Sequence, residues 1–337
     1  MTIKNHILLI TLFSVLFSVT SCNEKPAAIV QEVQDTVKTI VEDEKPKSID
    51  PASIKIEKAL LYDEHTLEDT YPYKDTTRVF QWDKIRKGLA FVDSIHNESS
   101  SWAVLQNYKN LNGEAPLVKN YKRNAYTRIA DSLGVERYQS VPLFSINDST
   151  QAEFYGRDGW LVRYIKEEGT FDKITTISLA GEWLVPKKYV KQLSDTVIFN
   201  NAIFVDVTNQ NITTLERTDT AWLVRSMNPA TTGRHNPPHM QETPTGIFIL
   251  QEKKAKMIYL VDGSSEVGGF APYASRFTNG AYIHGIPVNA PGTQMIEYSA
   301  SLGTTPRSHM CVRNATSHAK FVYGWAPTLA TLVFVID

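Results

Sequence analysis

The chain has 337 residues, and its 35 Lys and Arg nearly balance 36 Asp and Glu. A formal net charge of −1 gives no basic field for a polyanion, so nothing in the composition points to nucleic acid. Its two cysteines, Cys22 and Cys311, are too few for a disulfide framework.

Lys4 and His6 precede an apolar run from Ile7 to Val19, about the length of a signal-peptide core and too short to span a bilayer. The run ends in Val19-Thr20-Ser21-Cys22. Small residues leading into a cysteine resemble the bacterial lipoprotein processing site, which implies cleavage before Cys22 and lipid on Cys22. The plainer alternative is an ordinary signal peptide with a cysteine nearby. Several acyl chains would give stable membrane anchorage where one would not. Residues 1–22 are therefore read as the signal peptide and lipobox. In residues 23–53, acids, lysines and prolines alternate, with Val30, Val33, Val37 and Ile40 thinly spread. That composition predicts a flexible linker, the alternative being one short helix.

The remaining chain suits two domains, 54–195 and 196–337. No later apolar run is long and uninterrupted enough to be a membrane span. In the first domain, Trp82, Ile85, Leu89 and Val92 recur at helical steps. Tyr121, Ala125, Ile129 and Leu133 do likewise, with Gly134 as a stop, which predicts a second helix. After Val141-Pro142 the pattern turns β-rich: Trp160–Ile165, Ile174–Ile177 and Gly181–Pro186 read as strands, making this domain α+β. Trp183–Val190 is similar, over a short stretch, to the last strand and turn of SH3-like modules.

From Ala202 the chain reads as mostly β. Ile203–Val207 and Ile212–Leu215 flank Asn209-Gln210-Asn211 as a hairpin. Ala221–Ser226, Ile247–Leu250 and Leu329–Ile336 are further strands. Within this domain lies Ser308-His309-Met310-Cys311-Val312-Arg313-Asn314. Cys311 has no disulfide partner once Cys22 is set aside. A free cysteine is often only a small buried apolar residue. Here its flanks are polar, histidines stand at His309 and His284, and a thiol needs a basic or cationic neighbour to react as thiolate.

Four stretches in this order carry a family resemblance: the opening hairpin, Thr243-Pro244-Thr245-Gly246-Ile247-Phe248, Ile283-His284-Gly285, and Ser308-His309-Met310-Cys311-Val312-Arg313. Over roughly residues 200–337 the chain resembles the L,D-transpeptidase catalytic domain of the YkuD family. The resemblance implies a mostly β, sandwich-like catalytic domain. It implies a periplasmic acyltransferase that cuts a peptidoglycan stem peptide between its third, L-configured residue and D-Ala. Cys311 would form a thioester, and an amine from a neighbouring stem would take the acyl group to give a 3–3 cross-link. With water as acceptor the same site is an L,D-carboxypeptidase. A non-catalytic wall-binding tether is the alternative from another class, and a thiol redox protein would want a second nearby cysteine.

The resemblance also implies roles. His284 is the general base, and the Gly285 carbonyl orients it. The Met310 and Cys311 N–H groups are the oxyanion donors. His309 shapes the pocket, Arg313 pairs with a stem carboxylate or makes a structural salt bridge, and Ser308, a hydrogen-bonding residue, and Asn314 are further substrate-binding candidates. Tyr282, Arg276 and Phe277, on the approach to His284, are candidate substrate contacts. The first domain is read as positioning the catalytic one, the alternative being a barrel that contacts wall peptides. No cofactor or metal is implied; the partners are stem peptides and, through Cys22, a membrane, with the outer membrane as expected location. Two departures stand out. Met310 replaces the family glycine, and the interval from His284 to Cys311 is long, with an insertion in Pro287–Thr305.

Other clusters carry less chemistry. His235 and His239 lie four apart, but Pro237-Pro238 forbids the helix that would pair them on a metal. Val267–Phe270 and Arg276–Gly280 are Gly-containing but lack a phosphate-loop lysine. His96 and His318 have no evident partners in the sequence.

Overall fold

The strand Asn201–Asp206 shows why the protein is layered as it is. Its Ala202 and Phe204 belong to one core and its Ile203 and Val205 to another, so both faces are covered. The parallel neighbour Thr331–Ile336 divides the same way, with Leu332 and Phe334 on one side and Val333 and Val335 on the other. Strands buried on both faces read as continuous apolar runs, as these two do. They are central in a six-stranded sheet whose order is Ile56–Lys58, Trp222–Pro229, Asn211–Arg217, Asn201–Asp206, Thr331–Ile336, Gly246–Ile249. The computed structural model describes residues 48–98 and 100–337. The expected signal peptide, Cys22 and most of the 23–53 linker lie outside the described residues.

One face of this sheet is covered by α1, Trp82–His96, as the spacing of Ile85, Leu89 and Val92 predicts. Contact is close because Gly88 faces Phe204, whose ring stacks on Phe334 with centroids 4.5 Å apart. Segments from the first half of the chain thus complete this sheet and its outer layer. Ile56–Lys58 adds a parallel edge strand beside Trp222–Val224, and α1 supplies a layer.

The β-rich part of the first half forms a seven-stranded sheet ordered Val190–Gln192, Ser101–Leu105, Leu161–Glu168, Phe171–Thr176, Glu182–Pro186, Ser140–Ser145, Phe154–Arg157. Glu182–Pro186 runs through a single 3-10 turn, Lys187–Tyr189, into Val190–Gln192. Val141, Leu143 and Val162 of this lobe share a core with Phe248, Ile283 and Val333 of the other. The helix expected over 121–133 is absent. Lys122–Arg123 and Ile129–Ala130 pair as a short hairpin, and Asn120, Thr127 and Gly134 take positive φ, which interrupts any helix. Tyr121 and Leu133, its supposed apolar face, are exposed.

The third sheet carries the motifs. Glu252–Leu260 and Val267–Thr278 form a long hairpin, Ala281–His284 pairs antiparallel with the latter, and Val312–Arg313 pairs parallel with Ala281–His284. A second helix, α2, Thr316–Trp325, packs against this sheet.

Candidate active site

His284 ends one strand and Cys311 immediately precedes the next. The parallel register sets Ile283 opposite Val312 and His284 opposite Arg313. Side chains alternate across a strand, so Ile283 and Val312 enter the core while Tyr282, His284, Cys311 and Arg313 share the other face. The Asn314 N–H donates to the His284 carbonyl at 2.9 Å and fastens the two strand ends together.

His284 is 3% exposed. Its Nδ1 lies 2.6 Å from the Gly285 carbonyl oxygen, which makes Nδ1 the protonated nitrogen and leaves Nε2 as an acceptor. Burial pulls its pKa down to about 4, against the raising effect of the Gly285 carbonyl and with a smaller contribution from the Arg313 charge. Gly285 has a second role. A Cβ there would sit 2.6 Å from Thr316 Oγ1 and 2.9 Å from Pro272 Cγ, so glycine lets the start of α2 approach the histidine strand.

Cys311 is 8% exposed, packed with Tyr282, Ala274 and Met257. Burial pushes its thiol up to about 11, while a backbone hydrogen bond from Tyr282 and the Arg313 charge lower it. At neutral pH the resting pair is therefore thiol and neutral imidazole. The thiol donates to the Gly280 carbonyl at 3.5 Å.

The turn before Cys311 keeps a glycine-type backbone although methionine occupies it: Met310 has φ of +79°. Its surroundings hold it there. Thr243 Oγ1 accepts from the Gly233 N–H at 2.8 Å and donates to the Met310 carbonyl at 2.7 Å. Gly233 leaves room, since a Cβ on it would lie 2.7 Å from Met310 Cα. Ser308 Oγ closes the turn on the Cys311 carbonyl. The Met310 and Cys311 amides enter none of the backbone hydrogen bonds of the described turns and loops.

Arg313 is half-buried, its Nε has no hydrogen-bond partner among the described residues, and burial lowers its pKa. His309 is exposed and reaches the tip of the long hairpin, with Nε2 2.9 Å from Asp262 Oδ2. Asn314 is fully buried.

Two expected substrate contacts belong elsewhere. Phe277 is fully buried in the shared core, and Arg276 is buried in an ion pair with Asp158 at 2.5 Å. Tyr282 is only 2% exposed, and its hydroxyl donates to Glu252 at 2.7 Å, accepts from Lys254 at 3.1 Å and lies 3.2 Å from the Tyr108 hydroxyl. Burial, aided by these neighbours, raises its pKa. None of Tyr108, Asp158 or Glu252 was marked by the sequence, because their proximity depends on the meeting of separate lobes. His235 Nδ1 lies 2.5 Å from Glu242 and 3.0 Å from the Tyr126 hydroxyl, which ties the loop bearing it to the first lobe. The Pro287–Thr305 segment is a loop with one short strand, Val288–Asn289; Arg78 donates to the carbonyls of Gly303 and Thr304, and Thr316 Oγ1 donates to Ile296 at 2.7 Å.

Residues 200–335 match the model of the YkuD family, the L,D-transpeptidase catalytic domain. Over these residues the chain is similar to the catalytic domain of that family. A search of curated proteins gave no significant match. Solved structures similar to the chain include an L,D-transpeptidase from Mycobacterium smegmatis, at 17% identity and TM-score 0.34 over 52% of this chain and 77% of that one. L,D-transpeptidase 3 from Mycobacterium tuberculosis, in complex with a faropenem-derived adduct, matches at 16% and 0.34 over 54% and 93%. A fused Zn-dependent amidase/peptidase/peptidoglycan-binding protein from Clostridium acetobutylicum matches at 20% and 0.29 over 40% of this chain and 51% of that one. The chain thus spans about half the length of this last relative. Likeness at these scores adds no weight to the family match.

Proposed function

We propose that the protein is a peptidoglycan L,D-transpeptidase with Cys311 as nucleophile and His284 as general base. The observation that carries this reading is the orientation of His284. The Gly285 carbonyl fixes the proton on Nδ1, and the imidazole shares a sheet face with Cys311. Nε2 takes the thiol proton as sulfur attacks the carbonyl of the third stem residue. The negative charge that develops on that oxygen is met by the Met310 and Cys311 N–H groups. The tetrahedral adduct collapses, the amine of D-Ala leaves with the proton from His284, and a thioester remains on Cys311. An amine of a second stem then attacks, His284 removes its proton, and the thiol is restored with a 3–3 cross-link. Arg313, with free donors on the same face, pairs with a stem carboxylate.

Met310 supports catalysis over a wall-binding tether. The turn retains the backbone conformation that glycine would supply, at a cost of about 1–2 kcal/mol for an L-residue, and Thr243, Ser308 and Gly233 maintain it. In the proposed setting, lipid on Cys22 anchors the enzyme to the outer membrane, facing the periplasm. The test is product analysis with a disaccharide-tetrapeptide. D-Ala with cross-linked dimer supports the proposal. D-Ala with tripeptide alone makes the protein an L,D-carboxypeptidase, and wall binding without D-Ala release makes it a tether.

A further inference from the structure

We propose that Asp158, a residue of the first lobe, is a positioning residue for the nucleophile: it fixes the Thr278–Gly280 turn whose Gly280 carbonyl holds the Cys311 thiol. The inference rests on Cys311 being the reactive group.

Asp158 sits in the turn between Phe154–Arg157 and Leu161–Glu168 and is fully buried. Every oxygen it has is used. Oδ2 accepts from Arg276 at 2.5 Å, Gln251 Nε2 at 2.9 Å and the Asn279 N–H at 3.0 Å. Oδ1 accepts from the Asn107 N–H at 2.9 Å, and the Asp158 carbonyl accepts from Thr278 Oγ1 at 2.5 Å. Arg276, Thr278 and Asn279 all belong to the end of the strand and turn that lead into the histidine strand. One residue further, the Gly280 carbonyl accepts the Cys311 S–H.

The neighbouring glycine shows that this docking is close. Gly159 has φ of +87°, and a Cβ on it would lie 2.0 Å from the Phe277 carbonyl oxygen. The first lobe's turn is thus pressed against the backbone of the catalytic turn. A bond to the neutral thiol favours the protonated form, and a fixed acceptor also fixes the sulfur's direction. Asp158 touches neither substrate nor sulfur, and acts only through the turn.

Tyr282 and Arg313 are the polar or charged groups that act on Cys311, with His284 on the same sheet face; Met257 and Ala274, from the long hairpin, are apolar. The test uses the full chain with Asp158→Asn, Thr278→Val and Thr278→Ser. Thr278→Val removes the hydroxyl bond to the Asp158 main-chain carbonyl, the other half of the attachment of the turn to Asp158, without burying an unpaired charge, so it remains informative if Asp158→Asn does not fold. Cys311 alkylation by iodoacetamide is followed against pH, and D-Ala release from the tetrapeptide gives kcat and KM. The expected result for Thr278→Val, and for Asp158→Asn where folded, is about five- to tenfold faster alkylation at pH 7 with a profile shifted to lower pH. D-Ala release should show kcat reduced about tenfold with KM nearly unchanged, since positioning is lost and binding is not. Thr278→Ser should behave as wild type. An unmoved alkylation profile and kcat in Thr278→Val overturns the proposal, even if its melting temperature falls. Alkylation reads the thiol directly, so absent transpeptidation in wild type would count against the proposed function while the alkylation shift still decides the role of Asp158.

Discussion

Lowering the pH from 7 to 5 should destabilise the fold through two buried imidazoles. His284 and His318 are 3% and 0% exposed, and burial holds their pKa values at about 4 and about 3, against an ordinary 6.5. His318 Nε2 lies 2.9 Å from Ser226 Oγ, and its Nδ1 has no partner among the described residues. Below pH 6.5 the unfolded chain takes up protons that the folded chain refuses. Stability is full above that value and is lost as pH falls toward the folded pKa. Between pH 7 and pH 5 each imidazole should cost about 2 kcal/mol, and the pair about 4 kcal/mol. His96, whose pKa is also lowered to about 4 by burial, acts in the same direction. Glu242 and Glu252, with depressed pKa values, lose stability only below the ordinary carboxylate range and leave this window clear. Guanidinium unfolding at the two pH values measures the difference. His318→Gln should remove about 2 kcal/mol of it. Equal stability at pH 7 and pH 5 would refute the placement of neutral imidazoles in the core.

Other consequences follow from packing and charge. Gly88→Ala should lower the melting temperature although alanine is the better helix former. The new Cβ would lie 2.6 Å from Phe204 Cε1, and overpacking at about 1–3 kcal/mol outweighs a propensity gain of about 1 kcal/mol. Arg313→Met should raise KM for carboxylate-bearing stems about ten- to a hundredfold in the D-Ala release assay, the loss expected for charge-assisted hydrogen bonds. Asp262→Ala frees His309 and loosens the hairpin tip from the turn before Cys311. Because that pair is exposed, unfolding should change by less than about 1 kcal/mol, while Cys311 alkylation should quicken several-fold.

The sequence disclosed what is local and withheld what is assembled. α1 was legible because Ile85, Leu89 and Val92 point one way and meet a sheet. The same spacing at Tyr121, Ala125, Ile129 and Leu133 misled, because positive-φ turns occupy that segment and nothing covers Tyr121 or Leu133. The hairpin Glu252–Leu260 with Val267–Thr278 was hidden by lysines at 253, 254 and 256, which blur the alternation of a half-buried strand. Within the site, the motif residues were readable at their positions. The clamp by Thr243 on Gly233 and Met310 was not, since its bond to Met310 joins residues 67 apart. Arg276 and Phe277 looked like approach residues because they stand near His284 in sequence; strand geometry sends one to Asp158 and the other into the core.

In the proposed reaction, acyl transfer passes through Cys311. Intact-mass spectrometry of the full chain mixed with disaccharide-tetrapeptide, quenched in acid at short times, reads this directly alongside Cys311→Ala. Wild type should carry a covalent acyl adduct that maps to Cys311, with D-Ala released, and Cys311→Ala should show neither. D-Ala released equally by both proteins, or no adduct and no D-Ala from wild type, would contradict it.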